Sequence, residues 1–182
     1  MKTALLLIDI QRDYFPGGRY PLYEPERCAA RAAQALTLFR ESGLPVVHVR
    51  HSSLDAGAPF FRPGTDGTQI HPLIQPLDGE TIIEKHFPDS FMQTTLHETL
   101  QALKVQRLVV CGMMSHMCVD TTVRAARPLG YEVIVLGDAC TTTALEWKGQ
   151  RIGVQEVHGA FMAALDGSFA SVIDTAALAE TL

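Results

Sequence analysis

The 182-residue chain has no run of like charges, no apolar stretch of membrane-spanning length and no C-x-x-C pair. It also has no internal repeat and no Gly/Ser or Pro-rich linker. The first absence, with a formal net charge of −5, argues against a nucleic-acid surface or a polybasic membrane patch. The second argues against a spanning helix. Four cysteines at 28, 111, 118 and 140 form no dense framework, and a chain of this length buries enough surface to fold without disulfides. Free thiols in a reducing, cytoplasmic setting are therefore expected. The amino terminus imitates a secretory signal, but Asp9 interrupts the apolar stretch Ala4–Ile8 well before the about 7–15 residues such a signal needs. Charged residues are 19% and hydrophobic residues 47%, a globular balance, so residues 1–182 read as one domain.

Short apolar runs alternate with helical patterns. Ala4–Ile10, Pro45–Arg50, Thr81–Lys85, Arg107–Cys111 and Glu132–Leu136 are rich in Val, Ile and Leu without polar alternation, as strands covered on both faces are. Ala170–Ile173 is a weaker sixth. Cys28, Ala32, Leu36 and Phe39 recur at helical spacing until Ser42-Gly43. Met92, Leu96, Leu100 and Leu103 form a second stripe, about Met117–Leu129 a third helix, and Ala144–Leu165 a fourth, longer one. This alternation implies βαβ units in an α/β fold with a doubly wound sheet. Ser52–Gly79 has no period and follows a strand; a loop this long is a candidate pocket wall, with a solvated crossover as the alternative.

Three reactive side chains stand where strands end: Asp9, Lys85, and Cys118 just beyond Arg107–Cys111 at the start of a helix. Parallel strands put their carboxyl ends on one edge, so the three can converge. A carboxylate, an ammonium and a thiol are the parts of an activated nucleophile, in which a cation and a helix start favour thiolate and the carboxylate carries a proton. Taken singly, each also fits a structural role, since buried cysteines are commonly inert.

Longer strings carry a resemblance. Leu7-Ile8-Asp9-Ile10-Gln11-Arg12-Asp13-Tyr14-Phe15 resembles the opening of the isochorismatase-like cysteine hydrolases. Ile83-Glu84-Lys85-His86-Phe87-Pro88-Asp89-Ser90-Phe91 resembles their lysine segment. Gly112-Met113-Met114-Ser115-His116-Met117-Cys118-Val119-Asp120-Thr121-Thr122 is similar to their nucleophile segment, and Asp138-Ala139-Cys140 to the turn after their fifth strand. The resemblance covers about residues 3–165. It implies a three-layer α/β/α sandwich with a mainly parallel six-stranded sheet in the order 3-2-1-4-5-6. By position it makes Asp9 the general base and acid, Lys85 the stabilising cation and Cys118 the nucleophile. It places a cis peptide at Met113-Met114 and an oxyanion hole at the N–H groups of Met114 and Cys118.

The implied reaction is hydrolysis of a small amide, ureide or lactam through a thioester, with no cofactor and no metal. Nicotinamidases in this superfamily carry a metal site beginning D-x-H after the second strand; here that place reads His48-Val49-Arg50-His51-Ser52. His48, His51, His71 and His86, with Asp55, remain the candidates if a metal is held. A nicotinamidase with a metal site, ether hydrolysis of the isochorismatase type, and a thiol redox sensor or binding protein on the same fold are the alternatives. Tyr14, Phe15, Phe60, Phe61, Phe87, Phe91 and Met113 are expected to line the pocket. Arg50 fits a substrate carboxylate or a salt bridge equally well. The partner is expected to be a small amide-type molecule, with no nucleic acid and no membrane. Resemblance further implies a homodimer or higher homo-oligomer.

Overall fold

The computed structural model describes residues 1–182. Six strands form one sheet: β1 (Thr3–Ile8), β2 (Val46–His51), β3 (Thr81–Lys85), β4 (Arg107–Met113), β5 (Glu132–Thr141) and β8 (Ser171–Ile173). Their order is β3-β2-β1-β4-β5-β8, and every neighbouring pair is parallel. This is the expected 3-2-1-4-5-6 order, with the last strand numbered eight because a short hairpin intervenes. All six residues of β1 are buried, as a central strand covered on both faces requires.

Helix α1 (Pro25–Glu41) returns the chain from β1 to β2 and packs against the sheet through Cys28, Ala29, Ala32, Leu36 and Phe39. Right-handed crossovers put α1 on one face and α2 (Leu96–Ala102), α3 (Asp120–Ala126) and α4 (Val154–Leu165) on the other. The sheet reverses its winding direction between β1 and β4. No helix is long and apolar enough to cross a membrane.

Three expectations are corrected. Ala144–Leu165 is not one helix. Its first part is an antiparallel hairpin, β6 (Leu145–Trp147) and β7 (Gln150–Ile152), and only the second part is α4. Lys148 and Gly149 both take positive φ at the hairpin tip, a turn that a helix cannot contain. The third helix starts earlier than Met117, as a π-helical turn over Ser115–Val119, before α3 proper. Finally, β5 runs on to Thr141 instead of turning at Asp138. It bulges against β4, whose Val110 and Gly112 face Val135 and Cys140.

Candidate active site

Asp9, Lys85 and Cys118 meet at the carboxyl edge of the sheet. Asp9 is the first residue after β1 and takes φ of 52°, a left-handed conformation that Asp tolerates better than most residues. Its N–H still donates to Val49 O at 3.0 Å, so the chain leaves the sheet immediately after it. Lys85 ends β3 in register with His51, which ends β2. Cys118 lies in the π-helical turn that follows the cis Met113-Met114 bond. Gly112 makes the close approach beneath that turn possible. Its φ is 139°, and a Cβ there would collide with the Ile8 carbonyl oxygen.

The Lys85 nitrogen is the hub. It lies 2.8 Å from Asp9 Oδ2, 3.0 Å from Phe87 O, 3.1 Å from His51 Nδ1 and 3.2 Å from Cys118 Sγ. Asp9 and Lys85 are wholly buried, and Cys118 is 5% exposed. The Asp9 carboxylate accepts no hydrogen bond beyond this ion pair.

Burial lowers the Lys85 pKa, but the Asp9 charge and the nearby sulfur outweigh it and leave the ammonium favoured. For Cys118, burial first and the Asp9 carboxylate second push the pKa up, and Lys85 does not reverse them. Lys85 does favour thiolate, as expected of a neighbouring cation, but burial and Asp9 outweigh it and favour the protonated thiol at rest.

Asp9 Oδ, His51 N and Cys118 S atoms lie within 4.8 Å of one another, close enough to surround one small cation. The Lys85 ammonium contacts all three, so the protein supplies that cation itself. Of the four histidines expected as metal candidates, His51 is the one that reaches this group. The other three histidines lie elsewhere: His48 on Glu80 (2.9 Å), His86 on the Ser52 carbonyl (2.7 Å) and His71 stacked on Phe15.

Long-range ties fix a roof over the group. The Gln11 amide donates to His51 O and Thr68 O, both at 2.8 Å, and its oxygen accepts from His51 N at 2.7 Å. Asp13 is buried and accepts from Phe61 N at 2.6 Å and Arg19 N at 3.1 Å. These ties hold Phe61 against Tyr14, with ring centres 4.6 Å apart, and over His51 at 5.8 Å. Phe60 and Tyr20 complete the aromatic cluster. Neither Gln11 nor Asp13 was singled out from sequence, although their alternation with Asp9 was a visible signal.

The other pocket candidates divide. Tyr14, Phe60 and Phe61 stand in the roof, Met113 is buried beneath the site, and Phe87 contributes its carbonyl to Lys85. Phe15 and Phe91 do not join them. Phe15 is drawn off by His71, and Phe91 stacks on Tyr131, the residue before β5. Arg50 pairs with Glu84 at the surface. His116 turns from Cys118 to Thr142, while Ser115 bonds His158 of α4 at 2.8 Å. None of the surface cavities is lined by Asp9, Lys85 or Cys118.

The isochorismatase-domain family model matches residues 3–177. An isochorismatase family protein of Bacillus subtilis strain 168, YddQ, is 51% identical over 97% of this chain and 98% of its own length. The crystal structure of an isochorismatase from Pseudomonas putida KT2440 superposes with a TM-score of 0.91 at 39% identity, covering 96% of this chain and 89% of that one. An N-carbamoylsarcosine amidase from Thermoplasma acidophilum gives a TM-score of 0.81 at 27% identity, over 96% and 97% of the two chains.

Proposed function

Because the chain belongs to the isochorismatase family and is a hydrolase of that family, we propose that it cleaves the C–N bond of a small amide, ureide or lactam through a thioester on Cys118. The observation that carries this reading is the contact set of the Lys85 nitrogen, 2.8 Å from Asp9 and 3.2 Å from Cys118 in a site shielded from water. The likeness to an N-carbamoylsarcosine amidase supports a carbonyl attached to nitrogen as the target.

Asp9 acts as the base. As the substrate carbonyl arrives, its carboxylate takes the thiol proton and Sγ attacks the carbonyl carbon. The negative charge passes to the carbonyl oxygen, where the N–H groups of Met114 and Cys118, at the start of a helical turn, and the Lys85 ammonium stabilise it. The protonated Asp9 then gives its proton to the leaving nitrogen, the C–N bond breaks, and an acyl thioester remains. Water attacks the thioester, Asp9 takes the water proton, and sulfur leaves with a proton from Asp9. The acid product departs and the resting thiol returns.

A protonated thiol at rest agrees with this order of events, because the base must act during attack and not before it. No metal enters the mechanism, since the ammonium fills the position among Asp9, His51 and Cys118. The aromatic roof of Tyr14, Phe60 and Phe61 favours a compact substrate with an apolar or planar part.

The test is a panel of small amides, ureides and lactams screened for amine or ammonia release, with intact-mass analysis under slow turnover. A substrate-sized acyl adduct on Cys118 that disappears in Cys118→Ala, together with loss of turnover, is expected. Turnover retained by Cys118→Ala would sink the thioester mechanism.

A further inference from the structure

Four acceptors crowd the Lys85 nitrogen, and an ammonium has only three hydrogens to give. Asp9 Oδ2, at 2.8 Å and charged, takes one. Phe87 O at 3.0 Å, His51 Nδ1 at 3.1 Å and the Cys118 sulfur compete for the other two. The sulfur also accepts from Lys85, at 3.2 Å, but as one of four acceptors for three hydrogens, and a weak one while protonated, it must share.

His51 is the competitor that limits the sulfur's share. Its backbone is gripped on both sides by the Gln11 amide, and its ring lies stacked on Phe61. Burial and then the Lys85 charge lower its pKa to about 4, with Asp9 opposing and His86 adding a little. The ring is therefore neutral at physiological pH. Opposite an ammonium, a neutral imidazole nitrogen can only accept, so the ring proton sits on Nε2.

We propose that His51 is a positioning residue that competes with Cys118 for the three Lys85 N–H groups and thereby keeps Cys118 a protonated thiol until substrate is bound. The inference rests on the reading of Cys118 as nucleophile. It adds that the resting site is held in a low-reactivity form. The thiolate is the species that electrophiles and peroxide attack, so a weakened, shared hydrogen bond protects the cysteine between turnovers.

The charged and titratable groups around the pair are few. Asp9 at the end of β1, Tyr14 in the turn after it and Lys85 on β3 face Cys118. Lys85, Asp9 and His86 face His51, and His86 is engaged with the Ser52 carbonyl. His116 is turned to Thr142. Without the His51 acceptor, the freed N–H falls to sulfur and stabilises the thiolate.

Iodoacetamide alkylation of Cys118, followed by peptide mass against pH, reads this directly and needs no substrate. In His51→Leu the alkylation midpoint should fall by about one pH unit, with about tenfold faster labelling at pH 7. His51→Asn, whose amide oxygen can accept the same N–H, should stay with the wild type. In His51→Ala, added imidazole should move the midpoint back up, which keeps the test usable if the Leu variant folds poorly. In a Lys85→Met background His51→Leu should have no effect. A midpoint that stays or rises in His51→Leu, an Asn variant that behaves as Leu does, or a shift that persists without Lys85 would each overturn the proposal. The hydrolase reading fails separately, through turnover in Cys118→Ala.

Discussion

Asp9 and Lys85 are both shut off from solvent and 2.8 Å apart, and neither has a second ionic partner. Removing one charge strands the other in a medium that cannot solvate it. Lys85→Met is expected to cost about 3–5 kcal/mol in urea unfolding, because the Asp9 carboxylate is left uncompensated. The double variant Asp9→Asn with Lys85→Met should be more stable than Lys85→Met alone, although both are expected to be inactive. A double variant no more stable than the single one would mean that Asp9 protonates at no cost. The triad residues were legible one by one, as reactive types at strand ends. The role of His51 was not, because it depends on the β2–β3 register that sets His51 beside Lys85. The balance of effects on Cys118 was not legible for a related reason. A sequence shows the cation and the helix start but not the depth of burial that outweighs them.

At the scale of elements, the corner where α1 ends and β3 begins is held by Glu80. Its carboxylate takes two bonds from Arg40 at 2.7 and 2.8 Å, one from Leu77 N at 2.9 Å and a contact from buried His48 at 2.9 Å. Burial alone would raise the Glu80 pKa, but the Arg40, Leu77 and His48 bonds outweigh it and hold it at about 2. A carboxylate depressed on folding stabilises the fold above its unfolded pKa and loses that contribution as pH falls. His48 is lowered mainly by burial, so its neutrality in the fold also favours unfolding as pH drops below its ordinary value. Both effects have the same sign. Melting temperature should fall between about pH 4.5 and 2, and Glu80→Gln should flatten that slope while lowering stability at neutral pH. An unchanged slope would show that the corner does not govern acid stability. The strands that frame this corner were readable because a strand covered on both faces has an unbroken apolar sequence. The hairpin β6–β7 was not, because Leu145, Trp147 and Ile152 merge with the apolar positions of α4. The Lys148-Gly149 turn was the available signal.

For the whole molecule, the closed arrangement around the site sets how the thiols behave. All four cysteines are free and buried. Cys28 donates to Ala139 O at 3.0 Å, and burial raises the pKa of Cys28, Cys111 and Cys140 as well as that of Cys118. A bulky disulfide reagent at neutral pH should therefore titrate no thiol rapidly in the native protein and four in denaturant. One fast native thiol would show that the roof over Cys118 opens readily in solution. The doubly wound sheet was legible in the alternation of strands and helices, while its strand order was legible only through the family resemblance. The path of Ser52–Gly79 was not, since an aperiodic loop is placed only by its distant ties.

Those ties have an evolutionary consequence. Gln11 and Asp13 hold the roof entirely through main-chain atoms: the carbonyls of His51 and Thr68 and the N–H groups of His51, Phe61 and Arg19. Every residue except proline offers both kinds of group. The fastening is therefore indifferent to the side chains it fastens. Phe60 and its neighbours can be exchanged one at a time, recasting the shape presented to a substrate, while the bolts stay in place. The fold thereby separates the part that must not change from the part on which selection, or a protein engineer, can draw.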